Sequence, residues 1–189
     1  MSGPDAFAAF NGFRAIKITE GQNGFTGDLN AFDEFGSAVA GIGDIDGDGI
    51  GDAAVGARWT PDGGSTRGAV WILFFNADHT VRAEQKISST SGGFTGMLDD
   101  GDSLGQGLGS LGDLDGDGIV DLAVGVPLDD DGAADEGDPF ANLGAVYILF
   151  LNADGTVKNT KKISQTEGGF TGTLSHMETL AMRFRKPAM

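Results

Sequence analysis

The sequence predicts an all-β fold made of two tandem four-stranded antiparallel repeats, and three observations predict it. The tetrapeptide Gly-Phe-Thr-Gly begins at Gly24, Gly93 and Gly169, so the chain repeats itself after 69 and then after 76 residues. Two nearly continuous apolar runs, Gly68–Phe75 and Gly144–Leu151, are bounded by turn-forming residues. The 189-residue chain also contains 33 glycines, which favours short strands joined by tight turns.

The elements follow in a regular order. Asn11–Thr19 resembles the last strand of a repeat, so we expect an extra N-terminal strand at Phe13–Ile18. In each complete repeat the first strand enters an aspartate-rich loop and the second leaves it. The third is the apolar run, buried on both faces, and the fourth is an outer, half-exposed strand. The predicted strands are Phe35–Gly43, Asp52–Arg58, Gly68–Phe75 and Val81–Ser88, then Leu104–Gly112, Asp121–Val126, Gly144–Leu151 and Val157–Ser164.

The repeat spacing also predicts the domain boundaries. Residues 1–30 form an outer strand and a connector, 31–97 the first repeat, and 98–174 the second. The seven extra residues of the second repeat fall in the acidic segment Leu128–Asn142, where a loop insertion is easily accommodated. We interpret residues 175–189 as a truncated or foreign segment, because the similarity to the repeat stops after Ala181 and residues 182–189 are basic.

The loop between the first two strands of each repeat carries four carboxylates within nine residues. We call Asp44–Asp52 the first aspartate loop and Asp113–Asp121 the second. Carboxylates this close repel one another, and a hard divalent cation with oxygen ligands removes the conflict. The loops therefore predict two Ca²⁺ ions per chain. The predicted ligands are Asp44, Asp46, Asp48, the carbonyl of Ile50 and Asp52, and in the second loop Asp113, Asp115, Asp117, the carbonyl of Ile119 and Asp121.

Two other interpretations of these loops are weaker. An EF-hand needs Glu at its twelfth position, where this chain has Val55 and Val124, and it needs helical flanks that these sequences do not predict. A solvated acidic turn would explain one such loop, but it does not explain why the pattern occurs twice at equivalent places.

Composition excludes several classes of function. With 28 acidic and 12 basic residues the formal net charge is −16, which disfavours nucleic acid as a partner. The chain has no cysteine, so disulfides, thiolate metal sites and cysteine nucleophiles are excluded. No apolar run approaches the ~18 residues of a membrane-spanning helix, and no signal peptide is visible at the N-terminus.

Residues outside the two loops predict no catalytic centre. The two histidines, His79 and His176, lie in a turn and in the eroded C-terminal repeat, so neither builds a catalytic triad, and we expect no enzyme activity. We interpret the other clustered acids as a solvated surface, with a weak further cation site in 128–138 as the alternative. These acids are Asp99, Asp100, Asp102, Asp129, Asp130, Asp131, Asp135, Glu136 and Asp138.

The motif order resembles a known family. Phe35-Gly36, an aspartate loop and Gly56-Ala57-Arg58 together resemble the FG-GAP repeat of integrin α-subunit β-propellers. The second copy has Leu104-Gly105 and Gly125-Val126-Pro127, departures that are conservative in size and touch no predicted ligand. The resemblance covers about residues 11–174. It implies a β-propeller in which each repeat is a four-stranded blade and calcium lies between the first two strands.

Two blades are fewer than the ~4–8 that close a propeller. Three interpretations stay open: a piece of a longer protein, a homo-oligomer whose chains complete a ring, or an open two-blade unit. The predicted function is a calcium-binding module for protein or glycan binding in adhesion, at the cell surface or outside the cell. A non-catalytic part of an extracellular hydrolase and a purely structural, self-assembling repeat are the alternatives.

Overall fold

The computed structural model describes residues 15–130 and 142–172. These residues form two four-stranded antiparallel sheets, with strand orders β1-β2-β3-β4 and β5-β6-β7-β8, and they contain no helix. The all-β prediction with two four-stranded repeats is therefore confirmed. The strands are β1 Phe35–Gly43, β2 Asp52–Ala57, β3 Ala69–Phe75, β4 Val81–Ser88, β5 Gly107–Gly112, β6 Asp121–Val126, β7 Ala145–Leu151 and β8 Val157–Ile163.

The predicted strand bounds agree with the observed ones to within one residue, except at the start of β5. We predicted that this strand begins at Leu104, but it begins at Gly107. Leu104 instead forms an isolated parallel bridge with Gly68, which precedes β3 in the other sheet. A contact between the repeats has therefore replaced a contact within the second sheet.

The predicted N-terminal strand is not observed where the structure describes it. Residues 15–18 have no regular secondary structure, and only an isolated bridge between Thr19 and Gln22 follows. The rest of the predicted strand lies outside the described residues.

The two sheets share one apolar core. Side chains alternate across β3, so that Val70, Ile72 and Phe74 enter this core while Trp71 and Leu73 pack with Phe25 on the opposite face. From the second sheet the core receives residues of β6 and β7, among them Leu122, Val124, Val126, Tyr147, Leu149 and Leu151. The prediction that β3 is buried on both faces is confirmed, because six of its seven residues are buried.

Backbone hydrogen bonds join the two repeats along a seam beside this core. The amides of Gly101, Ser103 and Leu104 donate to the carbonyls of Ser65, Thr66 and Arg67, at 2.9, 3.2 and 2.9 Å. Arg67 Nε also lies 2.8 Å from Asp100 Oδ1, which accepts a hydrogen bond from the Ser65 amide as well. The seam fixes the start of the second repeat against the loop between β2 and β3.

Two positions that face the other repeat in one copy are exposed to solvent in the other copy. Phe32, which occupies the place of Gly101, is 82% exposed, and its φ of 76° is a conformation that favours glycine. Leu114 of the second aspartate loop is 55% exposed, whereas its equivalent Ile45 is buried in the shared core. The ring-completing homo-oligomer would cover such surfaces, and it stays a prediction.

Two glycines of the repeat motifs meet where the sheets are closest. A Cβ atom at Gly56 of β2 would lie 2.0 Å from the carbonyl oxygen of Gly105. Gly105 itself has a φ of +90°, and a Cβ there would lie 2.5 Å from the carbonyl oxygen of Ala69. Backbone on both sides fills the space, so neither position accommodates a side chain without moving one sheet relative to the other.

The seam also corrects the prediction that Asp102 is a solvated acid. The residue is 4% exposed, and its carboxylate accepts a 2.7 Å hydrogen bond from the Asp99 amide, which closes the turn before β5. Asp33 makes the equivalent bond to the Asn30 amide, at 2.9 Å. Burial raises the pKa of Asp102 to about 6, and the nearby negative charges of Asp99 and Asp130 add to the rise.

We predict that Gly56→Ala destabilises the protein by about 2–4 kcal/mol, because the added methyl group is forced against backbone. Urea unfolding of the full chain measures the effect. Gly41→Ala is the matched control, since Gly41 lies in β1 with nothing within 4 Å of the added Cβ. Equal losses of stability in the two variants would contradict this account of the inter-sheet contact.

We predict that the pH dependence of stability differs between the wild type and Asp102→Asn. The raised pKa means that folding favours the protonated acid. The protonated acid therefore contributes to the free energy of unfolding. This contribution is fully present below the ordinary aspartate pKa near 4 and is lost as the pH rises through about 6. Between pH 7 and pH 4 the wild type should therefore gain about 2 kcal/mol relative to Asp102→Asn. Urea unfolding across this range measures the gain, Asp28→Asn at an exposed position is the control, and parallel curves for wild type and Asp102→Asn would exclude it.

Candidate metal centres

The two aspartate loops are the tight connections from β1 to β2 and from β5 to β6. Each first strand ends at a glycine in the left-handed region, Gly43 at 72° and Gly112 at 74°. Within the loops, the two glycines that alternate with aspartates also have positive φ, for example 79° at Gly47 and 88° at Gly49. L-residues rarely adopt this conformation, so the glycines let the loop curl inward on its own carboxylates.

The first aspartate of each loop organises the turn. Asp44 Oδ1 accepts hydrogen bonds from the amides of Gly47 and Asp48, at 2.8 and 3.0 Å, and Oδ2 accepts one from Gly49 at 2.8 Å. Asp113 makes the same three bonds to Gly116, Asp117 and Gly118, at 2.6, 3.0 and 2.9 Å. The first aspartate therefore makes the same three hydrogen bonds in both loops, although the sequences around the loops differ.

The last aspartate of each loop ties the turn to the sheet. Asp52 is buried, and its two carboxylate oxygens accept hydrogen bonds from the amides of Ile45 and Phe75, at 3.1 and 3.3 Å. Burial raises the pKa of Asp52, and the charges of Asp46 and Asp48 raise it further. Asp121 accepts the equivalent bonds from Leu114 and Leu151, at 2.8 and 3.3 Å. Sequence reasoning gave these residues a ligand role and missed their part in joining the loop to the third strand.

The donor set fits a hard cation. One carboxylate oxygen from each of Asp44, Asp46 and Asp48 lies within 4.8 Å of the others, and Asp113, Asp115 and Asp117 form the same group in the second loop. Three converging, solvent-accessible carboxylates are the ligand type that Ca²⁺ prefers. Asp52 and Asp121 are not members of these groups. Their ligand roles, and those of the Ile50 and Ile119 carbonyls, stay predictions.

Two basic residues that sequence reasoning missed close the open side of the loops. Arg82 of β4 forms ion pairs with Asp46 and, at 3.1 Å, with Asp48. Lys158 of β8 forms them with Asp115, at 2.8 Å, and with Asp117. The hydrogen bond from Lys158 is the main reason that the pKa of Asp117 is lowered. The signal that could have identified these bases is their equivalence, since both are the second residue of an outer strand.

The remaining acids divide into exposed and buried positions. Asp99 and Asp100 are exposed as predicted, but Asp129 is 3% exposed and its Oδ2 lies 2.8 Å from Lys162 Nζ. The solvated interpretation of Asp129 is therefore wrong, because a buried carboxylate needs such a partner. Acids in 131–138, and with them the proposed extra cation site, lie outside the described residues. Within residues 15–130 and 142–172, no helix is long and apolar enough to cross a membrane.

Comparison with known proteins finds integrin α subunits. The chain is 38% identical to integrin alpha-PS5 of Drosophila melanogaster over 104 residues, which is 52% of this chain and 9% of that protein. It is 32% identical to integrin alpha-4 of Xenopus laevis over 130 residues, 67% of this chain and 11% of that protein. Integrin alpha-2 of Mus musculus is 38% identical over 93 residues, 48% of this chain and 7% of that protein.

The chain thus spans about a tenth of the length of the curated relatives it matches. No protein-family model matches it. The similarity to several integrin α subunits and the two repeated sheets with their aspartate loops lead to one conclusion: the chain contains an FG-GAP region of the integrin α-subunit type.

Proposed function

We propose that this region is a calcium-binding module for adhesion, in which Ca²⁺ has a structural role in each aspartate loop. The observation that carries the proposal is the duplication of one donor arrangement in two loops of a chain similar to integrin α subunits. A single acidic turn could be accidental. Two turns with the same grouped carboxylates and the same three hydrogen bonds at the first aspartate support a common ligand.

Electrostatics favours a cation at these positions. Each loop holds four carboxylates within nine residues, and one basic side chain offsets only part of that charge. In the proposed site Asp44, Asp46 and Asp48 supply carboxylate oxygens, with the Ile50 carbonyl and Asp52 as further ligands. The second site uses Asp113, Asp115 and Asp117, with the Ile119 carbonyl and Asp121. Hard oxygen donors and no nitrogen or sulfur favour Ca²⁺ over transition metals.

The proposed role of the ion is to stiffen one rim of each repeat. The loop connects the first and second strands, and its last aspartate accepts a hydrogen bond from the end of the third strand. An ion that orders the loop would therefore hold three of the four strands in register at that rim. Other loops are then free to offer contact surface to a protein or glycan.

We propose no catalytic role and a location at the cell surface or outside the cell, on the strength of the similarity to integrin α subunits. The ligand class, protein or glycan, is part of the same proposal. Among residues 15–130 and 142–172 the grouped acids that could hold a metal are the two loop clusters, and the chemistry we assign to them is cation binding.

We expect calorimetric titration of the metal-free chain with Ca²⁺ to show two sites. Asp46→Ala and Asp115→Ala should each reduce the stoichiometry to one, because each removes a carboxylate from one loop only. Asp28→Ala, which removes an exposed carboxylate outside the loops, is the control and should keep two sites. Absence of calcium binding in the wild type, or loop variants that keep two sites, would contradict the proposal.

A further inference from the structure

Arg82 and Lys158 occupy the same position in the two repeats. Each is the second residue of an outer strand, β4 or β8, and the two are 76 residues apart, the same spacing as the third strands. The three outer-strand positions that follow these bases, 83–85 and 159–161, differ between the repeats. Glu84, for example, is replaced by Thr160. A positive charge is therefore kept at this place although the three positions after it differ.

The two bases contact the same pair of oxygen atoms in their loops. Arg82 Nη2 contacts Oδ2 of Asp46 and lies 3.1 Å from Oδ2 of Asp48. Lys158 Nζ lies 2.8 Å from Oδ2 of Asp115 and contacts Oδ2 of Asp117. Guanidinium and ammonium groups differ in shape and in hydrogen-bonding geometry. Their shared feature is the charge, so the charge is the property that the site uses.

These oxygens are the ones that the loop backbone leaves free. In the first loop, both oxygens of Asp44 accept amide hydrogen bonds. The Oδ1 atoms of Asp46 and Asp48 accept one each, from Asp48 and Ile50. The Oδ2 atoms of Asp46 and Asp48 accept none from the backbone and face Arg82 instead. A cation that enters the loop would compete with Arg82 for these two atoms.

The side chains of Arg82 and Lys158 can move away from the aspartate loops. The side chains of Arg82 and Lys158 are 41% and 25% exposed, so each can turn into solvent without opening the core. Arg82 also lies over the Phe74 ring, with its guanidinium carbon 5.8 Å from the ring centroid, which holds it near the loop. Each ion pair therefore involves only the loop and one outer-strand side chain, and another cation can replace that side chain.

We propose that Arg82 and Lys158 are built-in counterions that occupy the aspartate loops in the absence of metal and lower their affinity for Ca²⁺. This inference rests on the proposed calcium sites. It goes beyond them, because a residue outside each loop helps to set the affinity of that loop for Ca²⁺. The base neutralises part of the loop charge when no ion is bound. Ca²⁺ must displace the base, so calcium binding releases the outer-strand side chain from the loop. The positive charge of the base therefore lowers the affinity of the loop for Ca²⁺.

The test is calcium titration of the Arg82→Gln chain in the Asp115→Ala background, which leaves only the first site. Loss of a unit charge a few ångströms from the ion should strengthen calcium binding by about five- to tenfold. Lys158→Gln in the Asp46→Ala background should do the same for the second site. Lys86→Gln is the matched control, because Lys86 lies in the same strand as Arg82 and pairs with Asp62, at 2.8 Å, outside the loop. It should change the affinity less than twofold.

A second measurement does not depend on calcium titration. In excess chelator, Arg82→Gln should lower the melting temperature relative to Asp115→Ala alone, since the loop loses its counterion, and saturating Ca²⁺ should remove the difference. Unchanged or weaker calcium binding in both Gln variants would overturn the proposal, as would an equal effect of Lys86→Gln. Absence of calcium binding in the wild type would overturn the calcium sites themselves, so the two failures are distinguishable.

Discussion

The crowding of carboxylates in each aspartate loop is the constraint on which the rest of the fold depends. Three carboxylate groups bring oxygens within 4.8 Å of one another at the turn between the first two strands. Like charges at that distance repel, so the turn needs compensation from amides, from a base or from an ion. The structure shows the first two. Backbone amides surround Asp44 and Asp113, and Arg82 and Lys158 provide positive charge from the outer strands.

The same loops also connect the turn between the first two strands to the third strand of each sheet. Asp52 and Asp121 face inward, where each accepts one bond from its own loop and one from the end of the third strand. The order of the loop is therefore linked to the order of the sheet. Between the sheets, backbone packs directly against backbone at Gly56 and Gly105, because neither residue carries a side chain. Gly56 and Gly105 are thus explained by packing, and the aspartates of the loops by charge.

Internal repetition made most of the fold predictable. The strands could be placed because an apolar run such as Ala69–Phe75 has a second copy, and each copy supports the interpretation of the other. The grouped aspartates were predictable for the same reason. What could not be predicted depends on contacts between distant segments. Leu104 leaves its own strand to pair with Gly68, and Asp102 is buried by the seam that this pairing extends. The partners of Asp129 and of the loop oxygens, Lys162 and Arg82, likewise come from outer strands far away in sequence.

The most direct measurement of the central claim is the melting temperature of the full chain with saturating Ca²⁺ and with excess chelator. If an ion resolves the repulsion in each loop, calcium at about 100 times its dissociation constant adds about 2.7 kcal/mol per site. For a chain of this size that corresponds to a rise of about 5–10 °C per site. The melting temperature should rise by this amount when Ca²⁺ is added. The same melting temperature in calcium and in chelator would contradict it.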